Sequence, residues 1–203
     1  LNEQENVRIM DKILRLPMVA AFMTMYSVVT SQICLGFYVI DRLGLTPVSA
    51  SKVTGYTLAI IGIVFIGTQI AVTAFKKVPP MNWLRYGSAL SAIGYVGVTL
   101  MNSQVTLMLG FCVAIAGMGA IFPAFQALAA NSVTKTEQGA AAGTVAAAQG
   151  IGIIAGPLVS TALYGIEPSL PFMVVVFAFG GLSLYSWKKK EHVCLDEDPV
   201  ESE

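Results

Sequence analysis

The chain alternates long uncharged stretches with short clusters of charged residues. An α-helix rises 1.5 Å per residue, so about 20 apolar residues cross the hydrocarbon core of a bilayer. Four of the uncharged stretches have the length of one crossing. The stretch 86–134 has about twice that length and contains the polar sequence Asn102-Ser103-Gln104 near its middle, which predicts one turn. The long uncharged stretches are 16–40, 53–75, 86–134, 138–166 and 168–187.

The pattern predicts an all-α membrane protein with six transmembrane helices. Inside a bilayer the backbone has no water to bond, so its polar groups must pair within a helix or a closed barrel. The short alternating segments typical of a barrel are absent from the sequence. Thr46-Pro47 has the residue types of a helix N-cap and first helical position. The helices are expected at about 16–40, 53–75, 84–101, 105–131, 139–164 and 170–187.

Basic residues are distributed unevenly between the two ends of these helices. One end has only Arg42 and Lys52, whereas the other holds all the remaining lysines and arginines. Because cytoplasmic loops are enriched in these residues, both termini are expected in the cytoplasm. Residues 1–15 then form a cytoplasmic linker, 16–187 the six-helix bundle, and 188–203 an acidic, disordered cytoplasmic tail. The basic end holds Arg8, Lys12, Arg15, Lys76, Lys77, Arg85, Lys135, Lys188, Lys189 and Lys190.

Composition excludes several classes of function. Hydrophobic residues make up 55% of the chain and charged residues 12%, about half the charged share of soluble domains. The formal net charge is zero, so nucleic acid finds no basic surface to bind. Carboxylates and lysines are absent from the predicted helices, and the only histidine, His192, lies in the tail. We therefore predict no enzymatic activity, no catalytic residue, no metal site and no cofactor.

Polar side chains recur at helical spacing within the predicted membrane helices. An amide that faces lipid is costly, so each glutamine is expected either to bond another helix or to face a wet cavity. Both readings are open for each residue taken alone, and together they favour a polar cavity. The first helix carries a stripe of Thr24, Ser27, Ser31, Cys34 and Tyr38, and the glutamines are Gln32, Gln69, Gln126 and Gln149.

Small residues repeat at four-residue spacing, chiefly in the fifth helix. Helices in lipid associate through close packing, which favours small side chains at their contacts. Pro123 and Pro157 each lie within a predicted helix, where proline removes a backbone donor and introduces a kink. These features fit either static packing or helices that bend during a conformational change. The two stripes of the fifth helix are Ala140, Thr144, Ala148, Gly152 and Gly156, and Gly139, Gly143 and Ala147.

The segment 117–165 carries motifs of a known family. A glycine-rich stretch precedes a proline, a short loop ends in Glu-Gln-Gly, and the next helix contains Gly-Pro-Leu before a final Leu-Tyr. In order and spacing these residues resemble the tenth and eleventh helices of major facilitator superfamily transporters, in particular the drug:proton antiporter branch of tetracycline and multidrug exporters. The motif residues are Gly117, Gly119, Pro123, Glu137, Gln138, Gly139, Gly143, Gly156, Pro157, Leu158, Leu163 and Tyr164.

The resemblance implies the C-terminal half of a twelve-helix transporter, built as two inverted three-helix repeats. The first and fourth helices would line a substrate cavity, the second and fifth would meet the missing N-terminal half, and the third and sixth would face lipid. The implied packing motif is Gly117, Gly119, Pro123, Gly139, Gly143, Gly152, Gly156 and Pro157. The implied cavity residues are Thr24, Ser27, Ser31, Gln32, Tyr38, Gln69, Phe122 and Gln126.

The function implied by the resemblance is proton-coupled export of a small amphipathic organic compound or drug by alternating access. Its partners would be the missing half, the small-molecule substrate, protons and the lipid bilayer, without nucleic acid. The protein would be a multi-pass protein of a bacterial inner membrane. An importer or uniporter of the same superfamily is an alternative, and a stand-alone six-helix membrane scaffold is another.

Overall fold

The computed structural model describes the backbone of residues 2–75 and 77–188, with side chains described from residue 13 onward. These residues form six α-helices in the predicted order, so the all-α prediction is confirmed. The predicted acidic tail lies outside the described residues from position 189 onward. The helices are α1 (Asn2–Leu43), α2 (Pro47–Ala74), α3 (Pro80–Thr99), α4 (Gln104–Ala130), α5 (Gln138–Tyr164) and α6 (Leu170–Lys188).

The first two helices begin earlier than their apolar stretches. α1 continues through Pro17, and its first turns include the segment 1–15 from Asn2 onward, which the sequence assigned to a linker. Hydropathy marks only the part of a helix that can cross lipid, and charged residues form helix readily outside it. For α2 the predicted cap is confirmed, because Thr46 Oγ1 accepts a hydrogen bond from the Ser49 N–H at 3.4 Å.

Five of the six described helices, all except α3, are long and apolar enough to cross a membrane by length and composition. α3 has polar residues near its start, Asn82 and Arg85, and many small residues along its length, which lower its hydropathy. It nevertheless buries an extensive face against its neighbours. Packing inside the bundle, more than affinity for lipid, therefore holds α3 in place.

The six helices form two three-helix units, α1–α3 and α4–α6. The second helix of each unit packs on the first helix of the other unit. α2 packs on α4, and α5 packs on α1. α1 and α4 also contact each other, whereas α3 packs mainly on α4 and α6. Exchanging α1–α3 for α4–α6 reproduces this pairing of first and second helices, as expected for two equivalent repeats.

An aromatic cluster fills the bundle between α1, α3, α4 and α6. The fully buried ring of Tyr95 lies nearly parallel to Phe172 and Phe179, at centroid distances of 6.4 and 6.2 Å. Phe111 meets Tyr95 edge-on at 6.1 Å, and Tyr38 meets Phe172 edge-on at 4.9 Å. Such offset and edge-on pairs stabilise a core beyond simple burial. This side of the bundle therefore has a completed core within the chain itself.

Polar contacts tie the helices together at both ends of the bundle. At one end Arg85 Nε donates to the Ser186 carbonyl at 2.9 Å, and the guanidinium lies 5.6 Å from the Trp187 ring centroid. At the other end the Tyr164 hydroxyl donates to Asp41 Oδ2 at 2.5 Å. The first contact joins α3 to α6, and the second joins α5 to α1. The helix pairs are thus fixed at opposite ends.

Candidate functional site

α2 and α5 are much less covered than the two central helices. In the apolar stretch that could cross a membrane, only 17% of α2 and 22% of α5 is buried inside the bundle. The corresponding shares are 50% for α1 and 56% for α4. The exposed side chains of α2 and α5 include several large aliphatic residues, such as Ile63, Ile66 and Ile154. Small residues lie between them, and an added Cβ at Gly62 or Gly143 would meet no atom within 4 Å. Each of these two open faces borders a groove.

The first groove, named here the α1–α2 groove, lies between α1 and α2 and reaches α4 at Ile115. Its volume is about 480 Å³. The exposed amide of Gln32 is the only amide among its described lining residues. The half-buried ring of Phe65 contributes an aromatic surface. The remaining lining residues are Val28, Ser31, Leu58, Ile61 and Gly62.

The α4–α5 groove lies between the corresponding helices of the second unit and has a volume of about 510 Å³. Three amides line it, Gln126 from α4 and Gln138 and Gln149 from α5. The other lining residues are small or aliphatic: Ala127, Ala129, Ala130, Ala142 and Val145. Among the described residues, no charged side chain lines either groove, and no group of three His, Cys, Asp or Glu could hold a metal ion.

Apart from Ser31, the polar stripe of α1 lines neither groove. Thr24 and Ser27 are fully buried and donate to carbonyls of the preceding turn, each at 2.7 Å. Tyr38 is also fully buried and donates to the Val98 carbonyl at 3.3 Å. The structure therefore corrects the assignment of Thr24, Ser27 and Tyr38 to the cavity. Thr24 and Ser27 are satisfied by carbonyls of their own helix, and Tyr38 is satisfied by a carbonyl of α3.

Ser31 belongs to the same stripe but lies at the edge of the α1–α2 groove. Its hydroxyl hydrogen-bonds the Tyr95 hydroxyl at 2.8 Å, and only 2% of the residue is exposed. Tyr95 also approaches the Ser27 carbonyl at 3.5 Å and Met118 Sδ at 3.4 Å. Tyr95 is thus the α3 residue that bonds Ser31 and approaches the stripe at the Ser27 carbonyl.

The Tyr95→Phe variant is expected to lower the free energy of unfolding by about 1 kcal/mol, because it leaves the buried Ser31 hydroxyl without its partner. Substrate preference is expected to stay unchanged, since Tyr95 itself is fully buried and lines neither groove. Thermal unfolding in detergent and a transport assay with several compounds would measure the two effects. A changed substrate profile at unchanged stability would place the stripe in the site after all.

The other predicted cavity residues are divided between the two grooves and the contact between α2 and α4. Gln32 lies in the α1–α2 groove, and Gln126 lies in the α4–α5 groove. Phe122 is half-buried, with its ring centroid 6.0 Å from that of Phe65 on α2. Gln69 is half-buried on α2 outside the described lining of both grooves. The sequence therefore indicated residues of both grooves, but it predicted one cavity where the structure has two separate grooves.

Three groove residues that matter chemically were absent from the predicted site. Phe65 is one of many apolar residues on α2, and no sequence signal separates it from packing residues. The sequence marks Gln149 as an amide in a membrane helix but does not place it in the site. Gln138 was assigned to a loop motif, although it is the first residue of α5 and its Nε2 donates to the Ala130 carbonyl at 3.4 Å. Their residue type, an amide within or beside an apolar stretch, is the sequence signal that could have found the last two.

Some glycines of the predicted packing motif are packed against another helix, and others face open space. Gly152 and Gly156 are buried against α1, and an added Cβ would lie 2.6 Å from the Phe22 carbonyl oxygen and 3.0 Å from Val29, respectively. Gly117 and Gly119 are buried in the same way, facing α3 and α2. In contrast, Gly139 and Gly143 meet no atom within 4 Å. Pro123 and Pro157 lie within α4 and α5, which continue on both sides of them.

A family model described as Major Facilitator Superfamily matches residues 4–157 and 87–193. The chain is also similar to the tetracycline resistance protein, class C, of Escherichia coli, with 30% identity over 155 residues. That alignment covers 74% of this chain and 39% of the relative, so the chain spans well under half the relative's length. Together with the apolar helices, these matches identify an integral, multi-pass membrane protein of a transporter family. The resemblance drawn from the sequence is thus confirmed: the chain belongs to the major facilitator superfamily, and its six helices correspond to half of that fold.

Proposed function

We propose that this chain is the C-terminal half of a secondary active transporter that exports a small amphipathic organic compound in exchange for protons. The observation that carries the proposal is the pair of uncovered helices, α2 and α5, each bordering a groove of several hundred Å³. The similarity to a tetracycline resistance protein supports export as the direction and a drug-like compound as the substrate.

The missing half is proposed to dock on the open faces of α2 and α5. Apolar side chains on these faces would be equally stable in lipid, so they do not by themselves indicate a protein partner. On α2 and α5, however, glycines coincide with the two least buried helix faces, and a glycine allows a partner helix to approach closely. Gly55 and Gly62 on α2, and Gly139, Gly143 and Gly150 on α5, have no atom within 4 Å of an added Cβ. Partner helices with small residues of their own would fit these positions.

The proposed orientation places both termini in the cytoplasm of a bacterium, with the bundle in the inner membrane. Of the basic residues with described side chains, Arg42 and Lys52 lie at the end where α1 meets α2. The others lie at the opposite end, in the N-terminal part of α1, between α2 and α3, in the first turns of α3, between α4 and α5, and at the end of α6. The positive-inside rule assigns that end to the cytoplasm. The α4–α5 groove then lies in the cytoplasmic half of the bundle, where an exported compound would enter.

Proton coupling is assigned to the other half of the transporter. Among the described residues, no carboxylate lies in either groove, and Asp41 lies near the outer end of α1 in a hydrogen bond with Tyr164. A proton-coupled exporter needs a group that changes its protonation state during the cycle. The bundle described here would therefore supply substrate contacts and moving helices, while its partner supplies the proton-binding side chain.

Dissipating the proton gradient is expected to reduce export by the full-length transporter about tenfold. Everted vesicles energised with a pH gradient would take up a fluorescent amphipathic compound, and a protonophore would stop the uptake. Collapsing only the membrane potential with valinomycin and potassium, with the pH gradient kept, is the control. Uptake that persists with protonophore would contradict proton coupling, and equilibration without accumulation would favour a uniporter. Accumulation in the opposite direction would favour an importer.

A further inference from the structure

A third groove, named here the α1–α6 groove, lies between α1 and α6 at the basic end of the bundle. Its volume is about 360 Å³, and it shares no described lining residue with the α1–α2 or the α4–α5 groove. α1 starts at the basic end and α6 finishes there, so the two helices run in opposite directions along the groove. α1 contributes Arg15, Leu16, Val19 and Met23 to its lining.

The polarity of the groove changes with depth. Arg15 of α1 and Tyr185 of α6 are the lining residues nearest the basic end, and both are exposed. Met23 lies eight residues after Arg15, which is about 12 Å farther along α1. Gly181 lines the groove one turn deeper than Tyr185, and an added Cβ there would meet no atom within 4 Å. The groove therefore has a charged mouth and an interior with free space.

An aliphatic surface lines the interior. Leu16 and Leu182 are buried and still line the groove, so they form its floor. Val19 is exposed and Met23 is half-buried beside them. Lipid tails are as apolar as leucine, so an acyl chain fits this surface without a desolvation cost. The interior accommodates an acyl chain, and selection among lipids falls to the mouth.

Aromatic residues mark the headgroup level at this end of α6. Tyr185 and Trp187 are exposed, and the exposed ring of Tyr86 on α3 meets the Trp187 ring edge-on at 5.8 Å. Tyrosine and tryptophan are enriched where the hydrocarbon core meets the headgroups. Lys188 follows Tyr185 by nearly one turn and ends α6. The mouth of the groove therefore lies at the level of the lipid phosphates.

Arg15 is the only charged residue among the described residues that line the groove. Its guanidinium has no hydrogen-bond or ion-pair partner among the described residues. The described carboxylates lie elsewhere, Asp41 and Glu167 at the opposite end and Glu137 between α4 and α5. A guanidinium binds phosphate through two parallel hydrogen bonds. Because no described carboxylate can hold the ammonium of a zwitterionic headgroup, the mouth favours a lipid with a net negative charge.

We propose that the α1–α6 groove binds one anionic phospholipid from the leaflet at the basic end. Arg15 holds the phosphate at the mouth, Lys188 adds a second positive charge nearby, and one acyl chain lies along the interior beside Gly181. The proposal goes beyond the proposed function and needs from it only that the other half docks on α2 and α5. That docking leaves the side formed by α1 and α6 open to lipid.

Binding is measured by native mass spectrometry on the delipidated full-length transporter in detergent, without any gradient. The probes are phosphatidylglycerol and phosphatidylcholine with identical acyl chains. Wild type is expected to bind phosphatidylglycerol about tenfold more tightly than phosphatidylcholine. Arg15→Gln is expected to weaken binding of phosphatidylglycerol about tenfold and to leave binding of phosphatidylcholine unchanged. Lys52→Gln, which removes one positive charge at the opposite end, is expected to bind both lipids like wild type.

Gly181→Leu tests the acyl-chain part of the site. The leucine would fill the free space of the interior, so binding of both lipids is expected to weaken about tenfold. Gly180→Leu is the matched control on the same helix. An added Cβ at Gly180 also meets no atom within 4 Å, but Gly180 does not line the groove, so this variant is expected to bind both lipids like wild type.

Four results would overturn the site. They are equal affinity of wild type for the two lipids, an unchanged preference in Arg15→Gln, wild-type binding by Gly181→Leu, and equal losses in Gly180→Leu and Gly181→Leu. Soluble glycerol phosphate in excess is expected to leave the lipid bound, and displacement by it would identify a free phosphate site instead. Unfolding temperatures equal to that of wild type would show that the variants fold. If Arg15→Gln is unfolded, the two glycine variants decide the outcome.

The lipid measurements are independent of transport because they use no gradient. The expected lipid pattern, together with export that persists in a protonophore, would support the lipid site and contradict proton coupling. Proton-driven export by a transporter that binds both lipids equally would support the proposed function and overturn the lipid site.

Discussion

The Gly94→Ala variant is expected to lower the free energy of unfolding of the bundle by about 3 kcal/mol. The added Cβ would lie 2.2 Å from the Ala114 nitrogen, 2.5 Å from its Cα and 2.8 Å from its Cβ. Two of these atoms belong to the backbone of α4, so no side-chain rotation can make room. α3 and α4 would have to move apart along their contact. Loss of helical signal during denaturation in mixed micelles would measure the change.

Gly97→Ala provides the matched control on the same helix. There the added Cβ would meet its nearest atom, Gly110 Cα, at 3.6 Å, which is ordinary contact. Because alanine is a better helix former than glycine, this variant is expected to be as stable as wild type or more stable by about 0.5 kcal/mol. Equal stability of the two variants would show that α3 and α4 do not approach each other closely at Gly94.

Close backbone contact explains how α3 is retained in the bundle. The pattern seen at Gly94 recurs where Gly87 faces Gly117, since an added Cβ on Gly117 would lie 2.4 Å from the Gly87 oxygen. Ser91 lies between these sites and donates to the Ala114 carbonyl at 3.0 Å. Lipid offers no hydrophobic driving force for association, so dense van der Waals contact and interhelical hydrogen bonds must supply it. α3, whose most apolar stretch is the least apolar among the six described helices, has both the close backbone contacts and an interhelical hydrogen bond.

The sequence predicted the number and order of the helices because charged residues are confined to their ends. It could not predict where α1 begins, since helix formation outside lipid leaves no trace in hydropathy. The start of α2 shows the opposite case. Its apolar stretch begins after Lys52, but the local chemistry of Thr46 and Pro47 correctly marks the first turn. Local capping signals thus locate a helix end better than a hydropathy profile does.

The polar stripe of α1 shows what periodicity cannot supply. Spacing puts Thr24, Ser27 and Ser31 on one face, and the structure agrees that they share it. The partner of Ser31 is Tyr95, 64 residues away, and nothing in the stripe identifies α3 as the neighbour. Whether a polar face meets another helix or a cavity depends on tertiary packing. The glutamines were better guides, because a large amide is harder to satisfy within its own helix.

The glycines of α5 also show that spacing alone does not reveal what a helix face contacts. Gly152 and Gly143 both belong to small-residue stripes, yet one is buried against α1 and the other is open. The sequence predicted that both take part in packing, without separating contacts inside the bundle from contacts to a partner. The prediction that α2 and α5 meet the missing half therefore gains a specific set of positions from the structure, and it can be tested there.

The Gly143→Leu variant is expected to reduce transport by the full-length protein about tenfold while leaving its insertion and stability unchanged. The side chain has free space within this bundle, because no atom lies within 4 Å of an added Cβ. On the proposed interface, however, a leucine would hold the partner helix away from α5 and prevent the close contact that sliding requires. Uptake in vesicles, corrected for protein amount, would measure the loss, and substrate binding in detergent would show whether the α4–α5 groove is still accessible.

Gly180→Leu is the matched control, since Gly180 on α6 likewise has no atom within 4 Å of an added Cβ. α6 is expected to face lipid, where a leucine is well tolerated, so transport should equal that of wild type. Normal transport by Gly143→Leu would mean that α5 is not covered at this position and would remove it from the interface. Equal impairment by both variants would point to a general effect of bulk in the membrane. Lost transport with retained binding at position 143 alone is the result that the docking of a second half requires.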